Sequence, residues 1–172
     1  CMPVSGSAAS YTHEYIDDKV RKGELPEFCS YAGVGRKEKT PTGRQYWATY
    51  GPDWIHMHHY CWALADAQNG NDKQAIGNLN YVLRGVGRNF KLRPLVLLQK
   101  ATIHVANQQY AEAVPVYYEI IELTPFSADG YVGLARVFLQ QEDKKTAREI
   151  IQLGLKNVPD SENLKRLMGS LE

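Results

Sequence analysis

Between Pro94 and Pro159 the apolar residues fall at three- and four-residue spacing, the pattern of helices that each bury one broad face. One such set is Leu97, Ala101, Tyr117, Ile120 and Ile121, and a second is Tyr131, Ala135, Phe138, Ile150 and Ile151. The second set is the first one displaced. Ala113 falls on Ala147 and Pro125 on Pro159, both at an offset of 34. The same offset carries Leu97 onto Tyr131, Ala101 onto Ala135, His104 onto Phe138 and Tyr117 onto Ile151. Alanine at the paired positions lets two helices approach closely, and Pro125 and Pro159 end the second helix of each pair because proline cannot continue the amide ladder. A lone helical hairpin cannot bury its apolar face, so the pattern calls for hairpins that stack.

A helix-turn-helix unit of this length, with small residues at these places, resembles the tetratricopeptide repeat. The resemblance implies an all-α solenoid of about three repeats, at residues 56–89, 94–127 and 128–161, with a capping helix at 161–171. The first repeat is degenerate. Ala63 and Ala75 are its small residues and Asn69 to Asp72 its turn, yet Ala75 lies 38 residues before Ala113, and the surplus falls in the Gly85 to Pro94 connection. After Pro159, Asp160 or Ser161 is placed to cap the last helix, which carries Leu164, Leu167, Met168 and Leu171.

Residues 1–54 match no such pattern and read as a tether, a short helix and an irregular arm, leaving 55–172 as the repeat domain. The helix starts near Ser10, places Tyr11, Tyr15, Ile16 and Val20 on one face, and is ended by Gly23 and Pro26. Phe28 to Arg44 reads as a loop. Tyr46 to Trp54 gathers aromatic residues about a Gly-Pro turn, with Trp47 and Trp54 expected to cover one end of the helical stack.

Charge adds little at the level of the whole chain, because 20 basic against 19 acidic residues give a formal charge of +1 and point to no nucleic acid. Locally Arg84, Arg88, Lys91 and Arg93 form a basic band with no acidic residue between Asp72 and Glu112, which is either a solvated face or a contact for phosphate headgroups or an acidic protein surface. No apolar run approaches the ~20 residues of a membrane span.

The first residue, Cys1, followed by small polar residues, resembles the terminus of a mature bacterial lipoprotein, in which that cysteine carries the lipid. An exported chain of this kind would pair Cys29 with Cys61 as a disulfide. The expected setting is then the periplasm or outer surface, membrane-anchored, with a cytosolic scaffold as the alternative.

His56, His58, His59 and Cys61 are the one cluster with ligand chemistry. His56 and His59 share a helical face, as do His58 and Cys61, and a periplasmic metal- or haem-binding protein is the alternative function they support. Neither pair has an evident third ligand, and no nucleophile elbow, phosphate loop or carboxylate pair marks an enzyme. No cofactor is expected. The first helix of each hairpin lines a groove in the family resembled, which implies a non-enzymatic adaptor or assembly subunit of a membrane-associated complex. Its partner-binding residues here would be Tyr60, Leu64, Leu98, Thr102, Val105, Val132 and Arg136, beside Asp129. Such a lining takes an amphipathic or hydrophobic segment of a partner, or is filled by the chain's own N-terminal arm.

Overall fold

The computed structural model describes residues 11–33 and 39–171, and contains nine α-helices and no strand among them. In chain order these are α1 (His13–Arg21), α2 (Pro41–Tyr50), α3 (Met57–Gln68), α4 (Asp72–Gly85), α5 (Arg93–Ala106), α6 (Tyr110–Leu123), α7 (Ala128–Gln140), α8 (Lys144–Asn157) and α9 (Glu162–Gly169). The chain divides between Lys91 and Leu92 into two compact units.

In the second unit α5 pairs with α6 and α7 with α8, and α9 lies against α7 and α8. Ala101, Ala113, Ala135 and Ala147 are all fully buried where the helices of each pair meet. Leu97 and Tyr131 occupy equivalent interior places, as do Tyr117 and Ile151. The hairpin turns repeat as well: Gln108 (φ 57°) and Glu142 (φ 62°), 34 residues apart, both take the left-handed conformation that turns the chain back. Asp143 and Ser161 cap α8 and α9 by accepting from the amides of Thr146 and Leu164. α6 and α8 each stop two residues before a proline, Pro125 and Pro159.

In the first unit α3 and α4 form a hairpin of the same kind, closed over Ala63 and Ala75, with Gly70 (φ 75°) at its turn. Gly70 precedes Gln108 by 38 residues, the same surplus that the alanines show. The N-terminal arm is bound into this unit, which is why the division falls after the first hairpin and not at residue 55. Cys29 forms a disulfide with Cys61 of α3, and the Tyr11 hydroxyl donates to Asp66 at 2.8 Å. The Gln68 amide donates to the Glu24 carbonyl.

Across the end of the segment read as a loop and the start of the aromatic stretch the chain forms α2, opened by Thr40, which accepts from the Gly43 amide, with Pro41 at its first position and Gly51 (φ 72°) at its end. Its aromatic residues surround Trp54, which is fully buried with Tyr46 stacked on it at 4.8 Å, Tyr50 at 5.2 Å and Phe28 edge-on at 5.9 Å. The Trp54 indole donates to the Tyr31 carbonyl. No helix among the described residues is long and apolar enough to cross a membrane.

Candidate functional site

Packing α5 beside α7 leaves a groove of about 420 Å³ within the second unit. Leu98, Thr102 and Val105 face it from α5 at helical spacing, and Asp129, Val132 and Arg136 face it from α7. Its floor is Tyr117 of α6, whose ring lies flat under Gly133: a Cβ there would sit 2.1 Å from the Tyr117 Cε1. Mid-helix glycine is costly on propensity alone, and here it makes room for an aromatic ring between two helices. Burial raises the Tyr117 pKa, partly offset by a hydrogen bond with Thr102 and the nearby Arg136 charge, so the hydroxyl keeps its proton at neutral pH. Gln140 of α7 and Asn163 of α9 complete the lining.

Five of the seven residues expected to meet a partner therefore share this groove: Leu98, Thr102, Val105, Val132 and Arg136. The other two lie in the first unit and stand elsewhere. Tyr60 is a correction. It is 4% exposed, packed on Phe28 at 5.9 Å, and its hydroxyl pKa is pushed up to about 12 by burial; the arm covers the face that would have lined a groove. Leu64 is half-buried on the same helix. Tyr117, Gly133, Gln140 and Asn163 were not expected at a site; only the mid-helix glycine carried a signal.

Two cations of the basic band are engaged within the chain. Arg93 pairs with Glu119 through both Nε (3.0 Å) and a terminal nitrogen (2.9 Å), and the Lys91 ammonium donates to the Thr49 carbonyl at 3.1 Å. Arg84 and Arg88 are exposed.

The histidines are packing residues with fixed partners. The His56 ring covers Gly85, where a Cβ would come within 2.6 Å of its Cε1, and the His58 ring covers Gly33 in the same manner. His58 Nδ1 donates to the Ile55 carbonyl at 2.6 Å. His59 belongs to a buried polar chain: its Nδ1 donates to Asn78 Oδ1 at 2.8 Å, and Asn78 Nδ2 donates to Asp66 Oδ2 at 2.9 Å. Asp66 is wholly buried and takes its second hydrogen bond from Tyr11, so a polar relay joins the arm to both helices of the hairpin. Desolvation lowers the pKa of His58 and His59, against the smaller opposing effect of these hydrogen bonds. The Cys61 sulfur is committed to the disulfide. Among the described residues, no group of three or more histidine, cysteine or acidic side chains is arranged to hold a metal ion. Cys1, the expected lipid anchor, lies outside the described residues.

With this geometry in view, residues 104–171 match the family model described as tetratricopeptide repeat. Residues 104–171 therefore carry tetratricopeptide repeats, in a stretch that holds the groove wall α7, the floor α6 and α9. No curated protein matches the chain. Repeats of this family are protein-protein interaction scaffolds and are generally non-enzymatic.

Proposed function

We propose that this protein is an adaptor whose second unit binds a segment of a partner protein in the groove between α5 and α7. The groove itself carries the reading. Leu98, Val105 and Val132 offer apolar surface there, Thr102 and Arg136 are exposed, and the ring of Tyr117 forms a floor that Gly133 makes possible. A linear segment gains affinity in such a groove by burying apolar side chains against preformed walls. Selection from a random linear peptide library tests it. Binding peptides should be recovered by the whole protein, lost by Thr102→Trp, which fills the groove, and retained by Gln152→Trp, which adds the same bulk at an exposed position on α8. Equal loss in both variants, or in neither, contradicts the assignment.

The reading extends to an oxidising compartment, the periplasm or outer surface, which the buried Cys29–Cys61 disulfide supports, since thiols in the cytosol are kept reduced. Alkylation of the protein under denaturing conditions, straight from its native cells, should leave Cys29 and Cys61 unlabelled. Labelling of both before any reductant is added contradicts export and favours a cytosolic scaffold.

A further inference from the structure

The groove is not uniformly apolar, and the placement of its charges selects among partners. The only two ionised side chains on its lining are Arg136 and Asp129, both exposed and both on α7. They are seven residues apart, two turns of one face, or about 10 Å at 1.5 Å per residue. None of the ion pairs among the described residues involves Arg136. Hydrogen-bonding side chains stand near it: Tyr117 lies close enough to feel the Arg136 charge, and Gln140 follows Arg136 one turn later on α7. That position suits a carboxylate. Asp129 lies in the first turn of α7, where the helix dipole favours its negative charge, and accepts only the Ser127 hydroxyl on one oxygen, at 3.1 Å. That end suits a cation, and Val132 lies between the two.

The spacing of the two charges along α7 fits a partner in extended form. An extended chain of the polyproline type advances about 3.1 Å per residue with three residues per turn, which returns every third side chain to the same side after about 9 Å. That advance is close to the ~10 Å that separates Asp129 and Arg136 along the axis of α7.

We infer that the α5–α7 groove selects an extended peptide segment with an acidic and a basic residue three positions apart, the acid seated at Arg136, the base at Asp129, and apolar side chains between them. The inference rests on the groove being the partner site. Sequencing the peptides selected from a random linear library by the whole protein, and by its Arg136→Glu variant, tests it. Wild-type binders should show the acid-base pair at that spacing. Arg136→Glu should weaken those peptides about tenfold or more and select instead peptides with lysine or arginine at both positions. Peptides that need the groove, being lost by Thr102→Trp, but carry no charge pattern and bind Arg136→Glu equally well, overturn this inference and leave the groove as the partner site. If no selected peptide depends on Thr102, the groove assignment fails and the inference with it.

Discussion

Breaking the tie between the arm and α3 has a magnitude that follows from the chain itself. The Cys29–Cys61 disulfide closes a loop with a sequence separation of 32. In the chain-entropy account the closed loop removes about 12 cal/mol/K from the unfolded ensemble, or ~3.7 kcal/mol at room temperature. Cys29→Ala with Cys61→Ala removes that constraint without leaving a thiol, and the loss of two buried sulfur atoms adds to the cost. Trp47, Trp54 and Trp62 are the only tryptophans and all lie in the first unit, so indole fluorescence during urea unfolding reads that unit. With a slope near 1.2 kcal/mol per molar, at the low end for small proteins, the midpoint should fall by roughly 3 M. A fall of less than about 0.5 M would mean that the remaining ties, Tyr11 to Asp66 and Gln68 to Glu24, already hold the arm without the cross-link, and would refute the ordering role given to the disulfide.

The first unit should lose stability as pH falls. His58 and His59 have folded pKa values below the ordinary 6.5, so the unfolded chain binds protons first and stability drops from about that pH down through the lower folded values. The indole emission of Trp62, whose ring lies 4.8 Å from His58 and 4.6 Å from His59, should track the same change, and a flat profile between pH 7 and 5 contradicts it. Replacing Asn78 with Ala should cost about 2 to 4 kcal/mol, since it strands buried polar atoms on both His59 and Asp66; a cost under 1 kcal/mol in the same denaturation assay would show the relay to be dispensable. Reversing Arg93 to Glu should destabilise the second unit by about 1 to 2 kcal/mol, measured by circular dichroism, and adding Glu119→Arg should recover most of the loss; no recovery would deny the pairing. At Gln108 and Glu142, glycine should raise stability by about 0.5 kcal/mol by relieving the left-handed backbone; a decrease at both would show that their side chains contribute more than the strain costs.

The two repeats of the second unit were legible because their physics is local and repeated. Alanine at 101, 113, 135 and 147 and proline at 125 and 159 each have one structural reason to recur, and the turn residues Gln108 and Glu142 repeat at the same interval. The first third was harder to read because it is held by contacts distant in sequence. α2 carries a start signal at Thr40-Pro41, but its apolar face is aromatic and exists to wrap Trp54, so no aliphatic stripe announces it. The buried Asp66 and Asn78 each look like surface residues until the partner, 12 positions away along the chain, is seen across the hairpin. At the groove, the family resemblance implied Leu98, Thr102, Val105, Val132 and Arg136 on one lining, and the structure brings them together. The resemblance misassigned Tyr60, because the covering arm belongs to a stretch with no repeat, and it could not show that the Tyr117 ring packs against Gly133.

The central claim is that the groove between α5 and α7 is where this molecule meets its partner. Amide chemical-shift mapping of the isotopically labelled whole chain, titrated with a peptide selected from the random library, tests it most directly. The account predicts the largest shifts at Leu98, Thr102, Val132 and Arg136. Shifts confined to the exposed Tyr118 and Leu153 on α6 and α8, or to residues before Leu92, would contradict it.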